Sequence, residues 1–356
     1  MSGTTPNTAQ LRRRSPFDAL SDGTLQQVVN NTQLLTVPNG KMVFKREDPR
    51  TQCHWLVKGA IDLVDEDYKT LHITDANDFT RYMLDENSHY MHTAVATNDC
   101  IFLVTDQDAL DLALTIDQSV ERPAPVAESD SPWAEERTPD TDDDWMSMLL
   151  QSRLFELLPP ANIAALFQRF KPVNFVTNST VMNQGDAGDF FYVVKEGELS
   201  VDREVDGKRQ HLAKLKPGDL FGEEALFNDA PRNATITMLT GGVLMQLDKA
   251  DFTTLLAEPA SEYVTVKEVQ AVIDAGEQTL IMIDVRFAGE FEHHHALDCI
   301  NIPLQGLREA MLGLDETASY VVIKQGRRGG LAAFLMNQAG LGTFVLDHRH
   351  INPDKI

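Results

Sequence analysis

Cysteine is scarce in this chain. Cys53, Cys100 and Cys299 are the only three, in no close-spaced pattern, which argues against a disulfide framework or a zinc module and fits a reducing cytoplasm. Long apolar runs are missing as well: no stretch reaches the roughly 18 apolar residues of a membrane span. The N-terminal Met1-Ser2-Gly3-Thr4-Thr5-Pro6 lacks the apolar core of a signal peptide. Positive charge is short too, with 31 Lys and Arg against 54 Asp and Glu and a net charge of −23. Such a surface is a poor general binder of nucleic acid, which needs cations to release counterions. It does not exclude a small anionic ligand, because screening falls off over about 8 Å at physiological salt and nearby groups decide. The expectation is a cytoplasmic protein with no nucleic acid, membrane or metal partner.

What is present is 356 residues, 42% of them hydrophobic, enough for two or three domains with real cores. One stretch organises them, Phe221 to Thr235. Gly222 permits a positive φ or a close backbone approach, and Glu223 to Phe227 can form one short helical turn. The first N–H groups of such a turn favour a phosphate. Asp229-Ala230-Pro231 reads as a turn that returns Arg232, a fixed-charge, fork-shaped donor suited to an anion. Glu223 would repel that anion unless it accepts a hydrogen bond from a hydroxyl. An anion and a hydroxyl in one compact ligand suggest a ribose phosphate.

These residues closely resemble the phosphate-binding cassette of cyclic nucleotide-binding domains, F-G-E-x-A-L-(5)-R-x-A-T with Pro before the Arg. The resemblance extends upstream through Gln184-Gly185-Asp186, Gly188-Asp189, Phe191-Tyr192-Val193-Val194, Gly197-Glu198-Leu199 and Pro217-Gly218-Asp219, the turns and strands of that family's β-roll. It implies that Glu223 holds the ribose 2′-hydroxyl and Arg232 the cyclic phosphate. The implied ligand is a cyclic mononucleotide, cAMP in preference to cGMP, held by Gly222, Glu223, Glu224, Ala225, Arg232, Asn233 and Ala234. In the family a Thr directly after the Arg tends to favour cGMP; Asn233 stands there and leaves the base preference open. Many bacterial relatives read DNA through a basic segment after the sensor, and none follows here.

The N-terminal part repeats this pattern. Phe17 aligns with Phe155, Leu20 with Leu158, Asp48 with Asp186 and Gly59 with Gly197, always at an offset of 138, whereas Asp106 answers Asp248 at 142. The first copy is therefore shorter in between, where the cassette would stand. Its counterpart, Met83 to Ala96, has no Gly-Glu pair and no Arg. It resembles a degenerate cyclic nucleotide-binding domain, with a role in packing or dimerisation. Pro16 to Asn30 reads as its first helix. Asp117 to Asp144 carries four prolines, Pro123, Pro125, Pro132 and Pro139, and many acidic residues. It cannot bury enough apolar surface to offset its ordering entropy, so it reads as a linker, with Trp133 its one apolar contact. Trp145 to Phe170 reads as two helices broken at Pro159-Pro160, and Lys249 to Glu258 as a short closing helix.

From Tyr263 helices alternate with apolar strands, the mark of a parallel α/β unit. Asp284-Val285-Arg286, Glu290-Phe291, His295 and Asn301-Ile302-Pro303, with Gly326-Arg327-Arg328 before a helix, resemble the motifs of rhodanese domains. That family's catalysis needs a thiolate at the strand end. Here Ile323 stands at the nucleophile position, or Lys324 if the loop is one residue short, and neither forms a persulfide. Cys299 reads as a small core residue. A loop with Arg327 and Arg328 could bind an anion or leave both solvated. His293-His294-His295 lacks metal-ligand spacing, and Asp284 and Arg286 read as a structural pair at a strand end.

The fold class that follows is a multidomain α+β and α/β chain: two β-roll (double-stranded β-helix, or jelly-roll) cyclic nucleotide-binding-like domains, then a rhodanese-like α/β domain. The expected boundaries are 1–116 for the degenerate copy, 117–144 for the acidic linker, 145–260 for the intact copy and 261–349 for the rhodanese-like domain lacking its Cys. The expected function is a non-enzymatic cyclic nucleotide receptor that signals to a protein partner through the rhodanese-like or first domain, with a homodimer as a further assembly. The alternative is a nucleotide-regulated sulfurtransferase or other rhodanese-type enzyme.

Overall fold

A computed structural model describes residues 4–86, 89–119, 144–150, 152–205, 208–276, 279–295, 298–323 and 326–346. Nearly all of the expected linker, with Trp133, lies outside the described residues, as do Lys324 and positions 347–349. Two compact units form: one holds the described residues up to Asp117 together with Arg286–Asn301, the other those from Gln118 to Val285 and from Ile302 to Leu346.

The first unit contains a β-roll. One sheet orders Thr32–Val37, Cys100–Asp106 and Gln52–Lys58; the other orders Met42–Phe44, Thr93–Ala96, Ala60–Val64 and Thr70–Thr74. The helix expected over Pro16 to Asn30 follows a short one at Thr8–Leu11 and is shorter than its apolar pattern suggests, Asp22–Asn30, because Ser21 caps it by accepting from the Thr24 N–H at 3.3 Å. Phe17, Trp55 and Leu103 fill the core between helices and sheet.

In the second unit the roll repeats. Its sheets order Leu220–Phe221, Phe190–Glu196, Gly242–Asp248 and Lys171–Phe175, and Lys208–Leu215, Leu199–Val205, Thr235–Met238 and Thr180–Met182. The run Phe191–Val194 at the centre of Phe190–Glu196 is apolar because both its faces are covered. Phe191 and Val193 meet the helices, while Tyr192 and Val194 meet the roll interior. Three helices precede it, Asp144–Leu150, Arg153–Glu156 and Pro160–Arg169, where the sequence pattern suggests two. The extra break is a turn in which the Ser152 N–H donates to the Leu149 carbonyl at 3.0 Å. Lys249–Asp251 closes the roll and widens into π-type turns over Phe252–Ala257.

The parallel strands expected after Tyr263 are present in the same unit, in the order Tyr263–Val264, Gly342–Leu346, Ser319–Ile323 and Leu280–Asp284. Val266–Ala275 begins on a capping box of Thr265 and Glu268 and ends on Gly276. Arg327–Gln338 packs on this sheet, yet its Phe334 is fully buried in the helical core of the roll, beside Phe252 and Phe191. The α/β portion, which has a core of its own, thus also contributes Phe334 to the core of the roll.

Candidate functional site

The cassette is built by a short helix, Glu223–Asn228, between two left-handed residues, Gly222 at φ 91° and Asp229 at φ 51°. Gly222 is required twice over. Its φ suits glycine, and a Cβ there would stand 2.9 Å from the Arg232 guanidinium. Gly188 makes room in another way, since a Cβ on it would lie 2.7 Å from that of Ala225.

Arg232 and Glu223 are buried, at 5% and 4% exposure. Arg232 donates from Nη1 to the Gly222 carbonyl at 2.8 Å and from Nη2 to the Phe190 carbonyl at 2.6 Å. Glu223 accepts from Arg308 on Oε1 at 3.0 Å, while its Oε2 is buried without a hydrogen-bond partner. Burial pushes the Glu223 carboxyl above its ordinary pKa; Arg308 opposes that shift and neighbouring Glu224 adds to it. Glu224 accepts from the same Arg308 Nη2 at 2.8 Å and from the Asn233 amide. Ala225 and Ala234 are buried as well. The structure thus brings all seven expected residues onto one cassette, and it adds Arg308.

Sequence reasoning missed Arg308 because nothing in its own segment marks it. It sits on Leu307–Met311, a short helix of the α/β portion anchored by buried Leu304 and Leu307, and lies 76 positions beyond Arg232. Only the packing of that portion brings it to the cassette.

The first roll shows what the second would be without its cassette. The Tyr90 N–H donates to the Asp48 carbonyl and the Tyr90 carbonyl accepts from Glu47; Arg232 does the same with Asp186 and Gly185. These matches keep the offsets of 138 and 142, so Tyr90 stands in the place of Arg232. Leu84 bridges His54 where Phe221 pairs with Tyr192. Asp85, at φ 58°, then falls where Gly222 does, and Glu86 falls where Glu223 does. A carboxylate therefore stands at this place in the first roll too, in an Asp-Glu pair that the motif does not reveal.

Of the other expected features, Ile323 is 3% exposed at the end of its strand. Gly326 turns the chain into the following helix at φ 60°. Arg328 is buried and donates to the Gln118 side chain at 3.0 Å, which ties it to the protein interior. Arg286 donates to the His294 carbonyl at 2.6 Å and pairs with Glu86 at 3.1 Å. His293 stacks on Tyr82 and His295 on Phe291. Among the described residues no group of three or more His, Cys, Asp or Glu is placed to hold a metal ion, and no helix is long and apolar enough to cross a membrane.

Residues 172–258, which contain this cassette, match the family described as cyclic nucleotide-binding domain. The chain carries a cyclic nucleotide-binding domain. Its relatives include a cAMP-dependent protein kinase regulatory subunit of Eremothecium gossypii, 27% identical over 67% of this chain and 47% of that protein. A CRP-like cAMP-activated global transcriptional regulator of Mycobacterium tuberculosis is 31% identical over 29% of this chain and 46% of that protein. The chain thus spans less than half the length of these curated relatives. Among solved structures, the regulatory domain of Toxoplasma gondii PKA with cAMP is similar at 15% identity. That likeness covers 76% of this chain and 95% of the other, with a TM-score of 0.31, and carries no argument.

Proposed function

We propose that this protein is a cyclic mononucleotide receptor, with cAMP the preferred ligand, that reports occupancy to a protein partner without catalysing a reaction. One observation carries the reading. The cassette of the matched domain keeps a buried guanidinium, Arg232, and a buried carboxylate, Glu223, whose Oε2 lacks a hydrogen-bond donor. A buried unsatisfied oxygen costs about 1–3 kcal/mol, and a ribose hydroxyl would supply the missing donor while Arg232 turns to the phosphate. Relatives whose names refer to cAMP favour the same ligand class.

The remaining parts take supporting roles in this proposal. Residues 1–116 act as a degenerate sensor in packing or dimerisation, 117–144 as a linker, 145–260 as the receptor and 261–349 as a rhodanese-like output domain. The last assignment is supported by parallel strands and by the helix Arg327–Gln338 that starts at Gly326. The lack of a nucleophile at Ile323 favours signalling over sulfur transfer. The test is calorimetric titration of the whole protein with cAMP, cGMP and cyclic dinucleotides, beside an assay of thiosulfate-to-cyanide sulfur transfer. Heat with a cyclic mononucleotide and no sulfur transfer is the expected pair of results. Absence of heat with every nucleotide would remove the receptor reading, and sulfur transfer would move the output domain to the enzymes.

A further inference from the structure

The residues that contact a ligand in the proposed receptor lie within 172–258, but the carboxylate at their centre is held from outside that segment. Glu223 Oε1 is occupied by Arg308 Nη2 at 3.0 Å, and the same nitrogen reaches Glu224 Oε1 at 2.8 Å. Glu224 in turn holds the Asn233 amide. One guanidinium thus joins the start of the cassette helix to the residue that follows Arg232. The exposure is asymmetric: the Glu223 side chain is 5% accessible and the Arg308 side chain 40%. A buried carboxylate beside a second one is unstable in its charged form unless a cation faces it.

We infer that Arg308 is a positioning residue for ribose recognition: it fixes the Glu223 carboxylate by Oε1 and so leaves Oε2 to accept a ligand hydroxyl. This inference rests on the receptor reading above. It makes hydroxyl selectivity depend on the α/β portion, and thereby gives that portion a direct hold on ligand binding. Linkage then requires the ligand to strengthen the Arg308 contact by the factor with which Arg308 strengthens ligand binding. Arg232 is held separately, donating to the Gly222 and Phe190 carbonyls, so the phosphate contact is made by a group that Arg308 does not hold.

The experiment titrates the full-length protein with cAMP and cGMP, each beside its 2′-deoxy counterpart, in wild type, Arg308→Gln and Arg308→Lys. Wild type should prefer the ribose forms. Arg308→Gln should lose about tenfold in affinity for them, as for a hydrogen bond to a charged group, and should bind the deoxy forms as wild type does. Arg308→Lys, which keeps the charge without the fork, should recover part of the loss. The unchanged deoxy affinity also reports that the variant site is folded. Higher ribose affinity in Arg308→Gln would mean that Arg308 blocks the site, and an equal loss for both ligand types would mean that it only supports the fold; either overturns the inference. Wild type binding none of the four would overturn the receptor reading and this inference together. Wild-type binding with an unchanged ribose-to-deoxy ratio in both variants would overturn this inference alone.

Discussion

The two rolls of this chain meet the same point of their architecture with different chemistry. At the carbonyl that begins the third strand of each roll, Phe190 accepts from the Arg232 guanidinium at 2.6 Å, whereas Gln52 accepts from the Tyr90 hydroxyl at 2.8 Å. Tyr90 stacks on Phe44 at 4.1 Å and stands 3.4 Å from His54 Nδ1, so rings fill the interior of the first roll. The carboxylates differ in the opposite sense. Glu86 and Glu223 each face an arginine, Arg286 and Arg308. In the first roll the arginine is the buried partner, at 6% against 25% for Glu86; in the second it is the carboxylate, at 5% against 40% for Arg308. A buried carboxylate needs a donor, whereas the buried Tyr90 ring needs only the acceptor its hydroxyl has found. The same scaffold therefore buries a guanidinium and a carboxylate in one roll and stacked rings in the other.

The largest test of that contrast is truncation at the equivalent positions. Tyr90→Ala should cost about 3–5 kcal/mol of stability in the first unit, as for other large buried rings, with no change in nucleotide affinity. Hydrogen exchange in Gln52–Lys58 would report the loss. Arg232→Ala should instead cost about 2–5 kcal/mol of binding, some 30-fold or more in Kd by calorimetry, because it removes a charge-assisted partner of a desolvated phosphate. Should Tyr90→Ala impair binding, or Arg232→Ala spare it, the two positions have not parted in role.

A smaller effect follows from the group beside Tyr90. Burial lowers the His54 pKa to about 4 from an ordinary 6.5. A depressed pKa means that the folded form binds fewer protons than the unfolded form in that window. Its contribution is thus complete above pH 6.5 and is lost as pH falls through 4. The total is roughly 3 kcal/mol at most. His54→Leu should flatten the acid side of the stability curve of the first unit between those limits. A slope unchanged by the substitution would assign the acid sensitivity to other groups. The smallest effect is Tyr90→Phe, which removes one hydroxyl contact to the Gln52 carbonyl and should cost about 1 kcal/mol in denaturant titration. A much larger cost would mean that the hydroxyl, rather than the ring, holds the first roll together.

Much of this was legible in the chain itself. The alternation of helices and apolar strands after Tyr263 anticipated the parallel unit, in which Thr265 and Glu268 cap Val266–Ala275 and Gly276 ends it. The offsets of 138 and 142 located the repeat and its shortening, because turn glycines and strand registers are local demands of the backbone. Gly222, Glu223 and Arg232 stood out for the same reason, being few residues apart on one turn. What the sequence could not convey is which distant groups close the site. Tyr90 as the counterpart of Arg232 emerges only from shared backbone partners at residues 47, 48, 185 and 186. Phe334 follows helical spacing within an α/β helix, yet it is buried in the core of the roll beside Phe252. Arg308 resembles any surface arginine until Leu304 and Leu307 seat its helix and carry it to Glu223. Local residue order determines elements, turns and motif geometry, because these depend on neighbours within a few bonds. The pairing of buried charges and the burial of Phe334 in the core of the roll were decided by the tertiary structure alone, because they depend on which surfaces exclude water from one another.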